Sequence, residues 1–175
     1  VLIGLGFKVL MINSDPDDDN DDYDVDDCTD DNMLNDEFYE SLLDRATADE
    51  FLAIFAAPPR STFVAGHDPL GDAVRSRAQP RGLNRPPPDR LRELTLANQL
   101  VKKTLAILHA AALRGTQYVI EALADLGDPA LPGFLAGHDH VPLWLLPSVI
   151  QFAQRTGGTM VTIAQCNYGT AQQQY

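Results

Sequence analysis

Phe7 to Ile12, reading Phe-Lys-Val-Leu-Met-Ile, is rich in strand-forming side chains and is closed by the turn cluster Asn13-Ser14-Asp15-Pro16, a pattern that predicts a buried strand ending at Asn13. Between Asp15 and Asp31 the chain is almost entirely acidic, with Tyr23 and Val25 as the sizeable apolar groups, so it lacks the means to make a core and reads as a mobile loop. At Asn35 the pattern turns helical. Asn35 is a cap, Asp36 and Glu37 suit the positive end of a helix dipole, and Phe38, Tyr39, Leu42, Leu43 and Ala46 share one face. Phe51 to Ala57 is an uninterrupted apolar run stopped by Pro58-Pro59, which predicts a strand covered on both faces. Residues 60–90 are rich in Arg, Pro and Gly without a period, and after Pro86-Pro87-Pro88 the residue Asp89 is the expected cap of a helix from Arg90 to Leu113. That helix carries Leu94, Ala97, Val101, Leu105, Leu108 and Ala112 on one stripe, with Lys102 and Lys103 off it, and Gly115 ends it.

Beyond it, Tyr118-Val119-Ile120 is a short strand leading to Glu121, and residues 125–147 are another Pro- and Gly-punctuated connection containing Trp144. A helix from about Ser148 to Thr156 stops at Gly157-Gly158, and Met160 to Ala164 is the last strand before the turn-like Gln165-Cys166-Asn167-Tyr168-Gly169. Strands alternating with helices, the strands nearly continuous in hydrophobicity, predict an α/β domain with a doubly wound, mainly parallel sheet. Gly-His-Asp recurs at 66–68 and 137–139, too short a repeat to indicate duplication.

The 175 residues are the length of one ordinary domain, and a hydrophobic share of 45% with 22% charged residues is near the globular average, which excludes wholesale disorder. No apolar run approaches the ~18 residues of a membrane span, and the first residues lack a basic segment followed by an apolar core, so the expectation is a soluble, intracellular protein without a membrane partner. Charge changes the picture more. Residues 1–50 hold 17 acidic against two basic side chains, a balance of −15, whereas residues 51–175 hold eight against 11, a balance of +3. Within residues 60–92, seven arginines face three aspartates. The net charge of −12 therefore hides a basic segment able to hold a polyanion such as DNA, with Arg75, Arg77 and Arg81 as candidate phosphate contacts; a solvated Arg/Pro loop is the competing reading.

The metal and thiol readings are weak. Asp15, Asp17, Asp19 and Asp21 have the alternate spacing of a calcium loop, but Asn20 stands at the turn glycine and Asp26 at the bidentate glutamate, and His138-Asp139-His140 has no third ligand, so no metal site is expected. Cys28 and Cys166 are far apart and fit neither a disulfide framework nor a zinc pattern; both read as reduced thiols, with Cys166 a packing residue.

In an open parallel sheet, ligands bind beyond the carboxyl ends of the strands, so the residues after each strand matter most. Here they are Asn13 to Asp15, Pro58-Pro59-Arg60-Ser61-Thr62-Phe63, Glu121-Ala122-Leu123 and Gln165-Cys166-Asn167-Tyr168-Gly169. This combination, running from about Gly4 to Gly169, resembles the cytosine-C5 DNA methyltransferases, and within them the divergent members encoded by mobile elements, viruses and protists. There a Pro-Pro-Cys-x-x-Phe motif follows one strand and Glu-Asn-Pro or Glu-Asn-Val the next. The resemblance implies a Rossmann-like fold and S-adenosylmethionine as cofactor. It further implies a reaction in which a thiolate attacks C6 of a flipped cytosine while a glutamate holds the protonated N3, so that C5 takes the methyl group.

The same resemblance assigns Glu121 as the retained glutamate and places Arg60 where the thiol belongs, and a protonated guanidinium cannot form the covalent adduct. Ala122 stands where an asparagine would brace the backbone. Pro58 and, for the ribose hydroxyls, Asn13 or Asp15 are the implied cofactor contacts, although Asn13 to Pro16 reads equally well as a turn. The Gly-rich cofactor turn would lie upstream of Val1, and Gly4-Leu5-Gly6 leads into a strand rather than a helix. The expectation is one truncated domain over residues 1–175, incomplete at its N-terminus and degenerate at its active site, with a non-enzymatic α/β binding module as the alternative.

Overall fold

A computed structural model describes residues 33–58, 62–63, 73–131 and 141–162. Helix α1 (Asp36–Thr47) is followed by strand β1 (Ala53–Ala56), helix α2 (Leu91–Ala112), strand β2 (Gln117–Ile120) and helix α3 (Pro147–Thr156). Short 3-10 turns at Pro88–Arg90 and Leu143–Leu145 precede α2 and α3. The chain is an α/β mix, and none of its described helices is long and apolar enough to cross a membrane. The expected strand over Phe7–Ile12 lies outside the described residues.

Helix α1 begins as its sequence dictates. The Asn35 side chain accepts hydrogen bonds from the backbone of Glu37 at 2.9 Å and of Phe38 at 3.3 Å, satisfying two of the amides that the first helical turn cannot pair. Asn35→Ala is expected to lower the unfolding free energy by about 1 kcal/mol. An unchanged denaturation midpoint in that variant would show the cap to be idle. Lys103 ties α1 to α2 by a 2.7 Å bond to Asp36 and lies 4.7 Å from the Tyr39 ring centre.

Helix α2, 22 residues and therefore about 33 Å long, is the centre of the molecule. One side, Ala97, Val101, Leu105 and Leu108, packs with Leu143, Leu146, Val149 and Phe152 against the inner face of the strands. Another side, Leu100, Ile107 and Ala111, packs with Met33, Leu42 and Ala46 of the α1 region. Asp89 does not cap α2. The Arg90 amide donates to the Pro87 carbonyl at 3.0 Å, so Asp89 lies within a tight turn and Arg90 takes the cap position without a side-chain capping bond. At the end of α3, Gly157 adopts φ of +70°, and the Gly158 amide closes on the Ala153 carbonyl at 2.9 Å.

Strands β1 and β2 are parallel neighbours with Ala53 opposite Gln117 and Ala56 opposite Ile120. Helix α2 occupies the connection between them, as a parallel pair requires. Ile54, Ala56, Tyr118 and Ile120 point toward α2 and α3, whereas Phe55 is 66% and Val119 56% exposed. Phe51 to Ala57 was expected to be covered on both faces; among the described residues its outer face is open. An all-apolar run cannot report which face is covered, because burial depends on what packs there. Met160, Val161 and Thr162 are exposed and irregular rather than the start of a last strand, having no described strand to pair with, while Ile163 and Ala164 lie outside the described residues.

Candidate functional site

The register of the sheet brings the residues that follow the two strands to one end. The Glu121 amide donates to the Ala56 carbonyl at 2.8 Å, extending the ladder one step past β2, so Pro58 and Glu121 both leave the same carboxyl edge. Pro58 is buried and Glu121 half-buried. Trp144 braces the segment after Glu121 through its indole N–H, which donates to the Leu123 carbonyl at 2.9 Å. Ala122, where the resemblance would have an amide side chain, packs against the core.

The chain between β1 and α2 is fastened by Arg75. Its guanidinium donates from Nε to the Thr62 carbonyl (3.1 Å) and from Nη1 to the Pro80 carbonyl (2.7 Å). From Nη2 it donates to the Thr62 hydroxyl (2.9 Å) and to Asn98 Oδ1 of α2 (3.0 Å). It also lies over the Phe63 ring, 4.0 Å from its centre. The residue is 4% exposed, and burial pushes its pKa down to about 10, opposed by the nearby Glu93 carboxylate. It stays charged at neutral pH. One planar fork thus joins the segment after Pro58-Pro59 to the start of α2, a task that a lysine's single point charge cannot perform.

Arg77 fastens the same loop to the chain after β2. Its two terminal nitrogens meet the two oxygens of Asp125, each at 2.9 Å, and Asp125 also accepts from the Gly127 amide at 3.0 Å. A Cβ on Gly127 would stand 2.5 Å from the Arg77 guanidinium, so a larger residue there would push the Arg77 head aside. Further along, Gly82 has φ of +132°, and a Cβ there would stand 2.6 Å from a Leu94 methyl group. What the sequence presents as an Arg/Pro loop is, over residues 73–90, a pinned turn.

The three candidate phosphate contacts therefore have different surroundings. Arg75 is buried in hydrogen bonds, Arg77 is partly exposed but paired with Asp125, and Arg81 is exposed with its backbone carbonyl accepting from Asn98 at 2.8 Å. The signal missed in the sequence is the trio Thr62, Phe63 and Asn98, which carries no charge and becomes visible only as the socket of Arg75. Arg60, Asn13, Asp15, Cys166, the acidic run and His138-Asp139-His140 lie outside the described residues. No family model, no curated protein and no solved structure matches the chain.

Proposed function

We propose that the chain is a degenerate S-adenosylmethionine-dependent DNA cytosine-C5 methyltransferase-like domain of Rossmann-like, doubly wound type that does not itself methylate DNA. The observation that supports this reading is the parallel pairing of β1 with β2, which puts Pro58 and Glu121 beside each other at one carboxyl edge. In the enzymes it resembles, the nucleophile's loop and the base-holding glutamate belong together at such an edge. In this sequence Arg60 stands at the position where the resemblance has the thiol.

The described residues are a poor fit to the cofactor. Of the three expected contacts Pro58 is the one described, and it is buried and has no side-chain donor or acceptor. No chemical step is assigned to the cofactor on this basis. What the edge retains is Glu121, half-buried, its backbone amide bonded to the Ala56 carbonyl; the resemblance gives its carboxylate the task of accepting a hydrogen bond from a protonated ring nitrogen. A second reading, a non-enzymatic binding module contacting nucleic acid through its basic loop, is favoured by the exposed guanidinium of Arg81.

The test is incubation of the protein with labelled S-adenosylmethionine and cytosine DNA, and in parallel with 5-fluorocytosine DNA. Neither methyl transfer nor a covalent adduct is expected, because neither Arg60 nor Ser61 supplies a thiolate. Retained cofactor binding with no turnover favours the degenerate enzyme, and its loss favours the binding module. Methyl transfer by the unmodified chain would overturn the assignment of position 60, and Cys166→Ala would then be the first variant to make.

A further inference from the structure

A groove of about 520 Å³ runs between α2 and α3 on the surface. Its α2 wall is a single helical stripe, Asn98, Val101, Lys102, Leu105, Ala106 and His109, spaced by three and four residues. The apolar side chains of Val101, Leu105, Ala106, Leu146 and Phe152 line the groove. Arg81, Lys102 and Arg155 stand on the banks, from the turn before α2, from α2 itself and from the last turn of α3.

The charge here is one-sided. Among the described residues no acidic side chain lines the groove, and none of these three cations has an ion-pair partner. This contrasts with Arg45, Arg77, Arg90 and Lys103, each of which meets a carboxylate. In a chain of net charge −12, three cations around one apolar concavity, with no ion-pair partner among the described residues, are a local departure from the average field. Cations beside an apolar lining select a ligand with two parts, an anionic head and an apolar body. The volume falls within the ~300–1,000 Å³ of small-molecule sites. The described lining has no broadly exposed aromatic face, since Phe152 is buried with its ring against His109 and Tyr118, which disfavours a stacked nucleic-acid strand.

We infer that the α2–α3 groove binds a small organic phosphate carrying an apolar body, held by Arg81, Lys102 and Arg155. This site is separate from the sheet edge of Pro58 and Glu121, so it stands or falls independently of the methyltransferase reading. The probe is 1-naphthyl phosphate titrated calorimetrically into the full chain, with inorganic phosphate and 1-naphthol as its two halves. Each half alone is expected to bind at least about tenfold more weakly than the whole, because head and body contribute together. The double variant Lys102→Ala/Arg155→Ala should weaken binding about tenfold or more. Gln151→Glu, which sets a like charge on the bank without touching the core, should weaken it too, and both effects should shrink as salt rises. Inorganic phosphate binding as tightly as the probe would overturn the inference by reducing the site to a cation patch. So would unchanged affinity in the double variant, or a single-stranded oligonucleotide that binds the same residues more tightly than the probe.

Discussion

Arg75→Ala is expected to lower the unfolding free energy by about 3 kcal/mol or more, because it strips donors from several buried and part-buried acceptors at once. The Thr62 carbonyl, the Pro80 carbonyl and Asn98 Oδ1 each lose a partner, and the Phe63 ring loses the guanidinium above it. Among the described residues no buried side-chain polar atom lacks a hydrogen bond, so the variant creates a defect the native chain does not tolerate elsewhere. Arg75→Lys keeps the charge but not the fork, and most of the loss should persist there. Denaturant unfolding monitored by Trp144 fluorescence measures both, and a loss below about 0.5 kcal/mol would assign Arg75 to the surface class of substitutions. The pH dependence follows from sign. With the folded pKa lowered to about 10, folded and unfolded chains both hold the proton at neutral pH, and the group adds no slope there. Only as pH rises through about 10 does the folded state release its proton first, so the cost of burying the charge falls and this group's contribution moves toward greater stability.

The same residue shows where a sequence reading stops. Arginines at 75, 77 and 81 look alike along the chain, and counting them predicts a phosphate-binding loop. Folding separates them, because Thr62 and Asn98 lie 13 and 23 positions away from Arg75, and Asp125 lies 48 from Arg77. Partners so remote leave no local signal. Local chemistry, in contrast, was legible. Asn35 caps α1 because a short side-chain acceptor sits next to acidic first-turn residues, and Gly157 ends α3 because it tolerates positive φ. The adjacency of Pro58 and Glu121 was also accessible, since two apolar strands joined through a long helix are parallel. What an apolar stripe could not reveal is a second contact. The stripe from Leu94 to Leu108 identifies one buried side of α2, while Leu100, Ile107 and Ala111 look like ordinary residues of a good helix until α1 is laid against them.

That second contact leads to a prediction about cooperativity. Ile107 and Leu108 are consecutive, about 100° apart around α2, and they enter different clusters. Ile107 packs toward α1, and Leu108, 1% exposed, packs toward the strands and α3. Ile107→Ala and Leu108→Ala should each cost about 2–4 kcal/mol through lost transfer energy and the cavity left behind. Because one rigid helix carries both side chains, displacing α2 from one cluster displaces it from the other. Trp144 reports on the sheet side, packed against its cluster and bonded to Leu123, whereas far-ultraviolet ellipticity reports on the helices together, the three described ones among them. In Ile107→Ala the two midpoints should therefore move together, although the substitution lies in the cluster that does not contain the tryptophan. An ellipticity midpoint that falls while the Trp144 midpoint stays put would mean that the α1 side melts alone, and the central role given to α2 would be wrong.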